Sequence, residues 1–149
     1  MNRVGLDNPI RLPDLSGQRC DFAIVDSHHH LFDLRKVHYP WLTDRPVQDF
    51  LLGDYASLRC DYLPADYERD SDGLNVIATV HVEAEADHEH PLAETRWLTS
   101  LMQDSSLPSA IVAHAWLHLP DSPRMIEEQA AYPAVRGIRS KPLVSDSAA

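Results

Sequence analysis

The chain has 149 residues, 44% of them hydrophobic, and a formal net charge of -10. That length and apolar content suit one domain with a real core and not a disordered chain. The negative balance argues against nucleic acid or an anionic membrane surface as the main partner, since both are held by basic surfaces.

Residues 1–21 carry Pro9 and Pro13 and no apolar stretch of the signal-peptide kind. They are expected to form an irregular N-terminal arm, with the domain proper over 22–149. No run reaches the roughly 20 apolar residues of a membrane span. Cys20 and Cys60 lack CxxC spacing, so both are read as free thiols of a cytoplasmic protein.

The first predicted strand covers about Phe22 to Ser27 and runs into His28-His29-His30. Side chains alternate along a strand, so Asp26, His28 and His30 are expected to share one face. Two imidazoles at i and i+2 can point into one small volume and offer two nitrogen ligands to a divalent metal. The alternative is a polar strand end with its histidines in water. In the metal reading Asp26 sits one layer below as an acid that holds a ligand in place. His29 points the other way, into packing or support. Residues 31–54 include Tyr39-Pro40-Trp41-Leu42, Pro46 and Gly53 and read as a long loop, of the kind that forms a lid or wall. Tyr39 and Trp41 either cap a pocket or simply bury that loop. Residues 55–70 suggest one or two helical turns.

A second strand is predicted over Asn75 to Glu85 from its β-branched content. Ile77, Thr79, His81, Glu83 and Glu85 share a face that grows polar toward its end. Glu83 and Glu85 either line the mouth of a site or are solvated. Asp87-His88-Glu89-His90 repeats the His-x-His spacing within a charged loop and is read as solvated. A helix follows over 91–103, with the apolar stripe Ala93, Trp97, Leu98, Leu101 and Met102. Pro91 suits its first turn, and Glu94 suits the positive end of the helix dipole.

The third strand, Ala110 to Leu119, alternates His114, Trp116 and His118. His118 lies nearer the strand end and is the better candidate for substrate contact, while His114 is as readily a core histidine. Asp121-Ser122-Pro123 opens a helix to 132, with Ser122 as N-cap. The fourth strand is Ala134 to Arg139. Arg136 and Arg139 are oddly spaced and cannot share a face. Arg139, at the C-terminal end, is placed to hold a substrate carboxylate through its planar fork or to pair with a local acid. The five glycines form no phosphate-binding loop, and no Ser/His/Asp or Cys/His nucleophile can be argued.

Strands alternating with helices imply parallel neighbours joined by right-handed crossovers. Four such strands suit a small open sheet or half of an eight-stranded barrel, since a complete barrel takes about 250 residues.

DSHHHLFD (26–33), YPWL (39–42), VHVEAE (80–85), ETRWL (94–98) and AVRGIRS (134–140) resemble, in this order, segments of the amidohydrolase superfamily. More narrowly they resemble its "amidohydrolase 2" branch of TIM-barrel metal-dependent hydrolases, which includes lactonases. The resemblance implies the N-terminal half, about four βα units, of a (β/α)8 barrel, with the site at the C-terminal strand ends. It places His28 and His30 on a divalent metal, zinc being common in the superfamily, although some lactonases of the branch work without a tightly bound metal. Arg139 matches an arginine region that binds substrate carboxylate in some relatives. Glu83 and His118 are the further candidates for substrate contact. The implied substrate is a small molecule, a lactone or related cyclic ester of a small acid; decarboxylases use the same scaffold.

The resemblance stops after the fourth strand. The later histidines and the late proton-shuttling aspartate have no counterpart, and Asp146 is not mapped onto it. The sequence is therefore expected to be an N-terminal fragment, with its catalytic acid unassigned. The alternative is a non-catalytic half-barrel that self-associates or pairs with a complementary C-terminal half.

Overall fold

The computed structural model describes residues 21–44 and 53–141. The expectations for the arm over 1–20, Cys20, Pro46 and the tail from residue 142 lie outside the described residues. Four strands form one parallel sheet in sequential order: β1 (Ile24–His29), β2 (Val76–Val82), β3 (Ala110–His114) and β4 (Val135–Arg139). Between them lie α1 (Pro40–Thr43), a 3-10 turn (Ala56–Leu58), α2 (Pro64–Asp70), α3 (Ala93–Leu101) and α4 (Ser122–Ala130). This is the expected α/β alternation.

The core gathers Leu31, Leu42, Trp97, Leu98, Ile111 and Ala113 from both strands and helices. Each large apolar side chain buried there contributes about 1.5–3 kcal/mol. Tyr39 and Leu42 are also fully buried, so the 31–44 segment is packed structure and not a free loop. Cys60 is free and exposed. Among the described residues no helix is long and apolar enough to cross a membrane.

Three expectations need correction. In β1, Asp26 pairs with Thr79 and His29 with His81, so three steps on β1 match two on β2. This bulge slips the alternation by one. Asp26 and His29 consequently both meet Tyr67 of α2: the Tyr67 hydroxyl donates to Asp26 Oδ2 at 2.8 Å, and the His29 ring lies 4.8 Å from the Tyr67 ring. Asp26 is therefore not in phase beneath His28 and His30. Its Oδ1 instead accepts the backbone N–H of His28 at 3.1 Å and holds the bulge.

The third strand ends at His114, not Leu119. The Leu119 N–H turns back to Trp116 O and the Ser122 N–H to Leu119 O. The last pairing in register with β4 is His114 with Arg139, so there is no ladder to keep 116–119 extended. The N-cap of α4 is Asp121, with Ser122 the first helical residue.

Gln129 of α4 is fully buried, a feature that escapes sequence reasoning because its partners are distant. Its amide nitrogen donates to Pro91 O at 3.1 Å and His114 O at 3.0 Å, and its oxygen accepts from the Thr95 hydroxyl at 2.7 Å. It thus pins α4 to α3 and to the end of β3. Gln129→Leu fits the volume but takes the partner from the buried Thr95 hydroxyl and from two part-buried carbonyls, Pro91 O and His114 O. We expect it to lower stability by about 2–4 kcal/mol, read as a shift in the urea midpoint with little change in slope.

Candidate functional site

The site is built where β1, β2 and β4 end. His28 and His30 leave β1 with ring centroids 5.0 Å apart, edge to face. They line a cavity of about 260 Å3 with Trp41, Leu58, Ala84, Glu85, Arg139 and Lys141. Trp41 is fixed there by its indole N–H, which donates to Ala84 O at 2.8 Å.

His30 Nδ1 lies 2.8 Å from the carbonyl oxygen of Val82. A carbonyl can only accept, so Nδ1 carries the proton and Nε2 is the nitrogen left for a ligand. Metal-binding histidines are held in this way by a bond from the other nitrogen. Burial, and next the neighbouring His81, oppose a positive charge on His30 and lower its pKa, partly offset by the bond to Val82. A depressed pKa keeps the imidazole in the unprotonated form that ligates. His29, buried against Tyr67 and His81, is lowered further, to about 4, with desolvation the main cause.

Arg139 reaches the cavity from β4 but is not free. Its Nε donates to Glu83 Oε1 at 2.5 Å, and one terminal nitrogen donates to Glu83 O. Glu83 is fully buried. Burial alone raises its pKa. The favourable contacts outweigh this and bring it to about 2: His114 Nδ1 at 3.5 Å, the Glu85 N–H at 2.9 Å and the Arg139 guanidinium. The 3.5 Å contact is too long for a strong hydrogen bond, and the arginine and the backbone N–H are the firmer holds.

Glu85 has a backbone φ of 59°, in the left-handed region that a glutamate rarely adopts. Its N–H is tied to Glu83 Oε2, and its carboxylate pairs with Lys141 at the cavity wall. Strained backbone of this kind concentrates where a side chain must be aimed.

The structure therefore gathers His28, His30 and Arg139 around one cavity, with Glu83 behind Arg139 as its anchor. It does not bring His118 there: that residue is exposed beyond β3, its ring 5.5 Å from Trp116. A separate hollow of about 300 Å3 is lined by His88, His114 and Trp116. Arg136 is exposed and bonds to Pro133 O. Sequence reasoning missed Lys141, although its position two residues after Arg139 is the spacing by which an extended chain repeats a direction.

His28 and His30 fit two ligands of a metal ion, by chemistry and by the free Nε2 of His30. Among the described residues, no three His, Cys, Asp or Glu side chains converge to hold an ion, whereas a catalytic zinc takes three protein ligands.

No family model matches the chain. A crystal structure of an amidohydrolase from Burkholderia multivorans with bound zinc is similar, with a TM-score of 0.54 and 25% identity over 83% of this chain. The four-stranded parallel sheet with its helices matches part of an amidohydrolase fold. That amidohydrolase is matched over only 38% of its own length. "Amidohydrolase 2" from Bifidobacterium longum subsp. infantis aligns with 24% identity and a TM-score of 0.42, over 75% of this chain and 44% of that one. The uncharacterized protein y4mH of Sinorhizobium fredii is 36% identical over 119 residues, 80% of this chain. The chain spans 40% of that relative's length. The amidohydrolase likeness supports a relationship to this superfamily of hydrolases.

Proposed function

We propose that the chain carries part of a metal-dependent hydrolase that opens a lactone or related cyclic ester of a small acid. The observation that supports this best is the pair His28 and His30, 5.0 Å apart, at one cavity with Arg139. His28 and His30 would supply two of the ligands of a divalent ion such as zinc, which when bound would provide Lewis-acid activation of a carbonyl and of a water. The overall change adds water across the ester: a C–O bond forms at the carbonyl carbon, the ring C–O bond breaks, and the leaving oxygen takes a proton.

The chain's own residues bind and orient. Arg139 spends two donors on Glu83 and keeps the remainder for a substrate carboxylate, which a guanidinium grips in a planar fork. Trp41 and Leu58 give the cavity apolar walls. The Glu85–Lys141 pair adds one acceptor and one cation beside them.

The test is zinc titration by calorimetry, then assay of sugar lactones by acid release with zinc or manganese, alone and with a candidate C-terminal half. The His28→Ala, His30→Ala double variant is expected to lose zinc affinity at least 100-fold while keeping its far-UV spectrum. Equal zinc binding by the variant, or no turnover in any format, would sink the proposal. Release of carbon dioxide in place of simple hydrolysis would reassign the chemistry to a decarboxylase.

One observation favours a second reading. Among the described residues β1 and β4 each have a strand neighbour on one side only, and Val25 and Ile77 are exposed. Unpaired strand edges invite pairing, which suits a half-barrel that self-associates or closes on a complementary chain. Sedimentation showing only a monomer, with and without the candidate half, would remove it.

A further inference from the structure

Beneath the histidine pair lies a buried network that the proposed chemistry does not use. His81 of β2 has no solvent exposure, and Glu94 of α3 is 4% exposed. The backbone N–H of Leu31, the residue after His30, donates to His81 Nδ1 at 3.2 Å. Nδ1 is therefore the acceptor and Nε2 carries the proton, which points to Glu94 Oε1 at 3.2 Å. The same carboxylate accepts the Tyr39 hydroxyl at 2.9 Å and the Ala84 N–H at 3.1 Å. One acid thus fixes the tautomer of His81 and joins the 31–44 segment, β2 and α3. The His81 ring stands 6.1 Å from that of His30.

We propose that His81 and Glu94 are positioning residues for the His28–His30 pair. They clamp the backbone at Leu31, and so keep the His30 ring with Nδ1 on Val82 O and Nε2 left for a ligand. This rests on the metal reading above only for its purpose; the clamp itself is testable without metal.

Two measurements on the metal-free protein decide it. In the wild type, ring nitrogen NMR is expected to show His30 protonated at Nδ1 and His81 protonated at Nε2, with the Leu31 amide slow to exchange. The opposite tautomer at either ring overturns the proposal. His81→Leu keeps bulk and removes the acceptor. It is expected to speed Leu31 exchange at least 10-fold and to shift His30 toward a mixture of tautomers. His81→Asn offers an oxygen close to the place of Nδ1 and is expected to restore both readouts. If His81→Leu does not fold, Glu94→Gln is read in its place, with a smaller shift in the same direction. Unchanged His30 tautomer and Leu31 exchange in a folded His81→Leu or Glu94→Gln protein overturn the proposal.

Zinc titration separates this from the metal reading. His81→Leu should bind zinc about 10–100-fold more weakly than wild type, and His81→Asn within a few-fold of it. A wild type that binds no zinc, yet whose His30 tautomer moves in His81→Leu, fails the metal reading and leaves the clamp standing.

Discussion

Arg139→Leu is expected to lose about 3–5 kcal/mol of stability at pH 7, because it leaves Glu83 a fully buried acid without its cation. Half of such a pair is worse than none, so Glu83→Gln in the same chain should recover part of the loss. A double-mutant cycle by urea denaturation measures the coupling. Acid gives an independent reading. Glu83 has a folded pKa of about 2 against an ordinary 4.5. Its contribution is therefore complete above about pH 4.5 and is lost as pH falls toward 2. In Arg139→Leu the folded pKa rises, and that acid-linked loss should shrink or change sign. Identical pH profiles for the two proteins would show that Arg139 does not hold Glu83.

Glu94→Leu is expected to be still more damaging, with a loss of about 3–6 kcal/mol. It removes one acceptor from three buried donors: the Tyr39 hydroxyl, His81 Nε2–H and the Ala84 N–H, each costing about 1–3 kcal/mol when left unpaired. That is a large share of the 5–15 kcal/mol by which a domain is stable. Thermal unfolding by circular dichroism should show a melting point lowered by more than 10 °C, or no cooperative transition. Tyr39→Phe, which deletes a single donor and leaves the acid two others, is the control and should cost under about 1.5 kcal/mol. A Glu94→Leu protein no less stable than Tyr39→Phe would deny Glu94 its place at the centre of the network.

The local patterns of the chain are legible in its sequence. The β-branched run ending at Val82 and the alternation of strand and helix carry the parallel sheet. The odd spacing of Arg136 and Arg139 does separate them, one exposed and one on Glu83. What stays hidden depends on partners far along the chain. Asp26 looks in phase with His28 and His30 until the pairing of β1 with β2 inserts a bulge between Asp26 and His29. Glu94 looks like an ordinary first-turn acid, since nothing local reveals that Tyr39, His81 and Ala84 will surround it. His118 looks like a strand end because alternation continues past the point where β3 loses its register with β4.

The bonds that shape the cavity share one further property. Leu31 to His81 spans 50 residues, His30 to Val82 spans 52, Tyr39 to Glu94 spans 55 and Arg139 to Glu83 spans 56. Each closes a loop whose ordering cost falls due before its bond is formed. No strand with its own helix contains both ends of any of them. Assembly of the cavity is therefore a non-local and slow step of folding, and His29 and His30, adjacent in sequence, acquire their separate environments only when β1 has paired with β2.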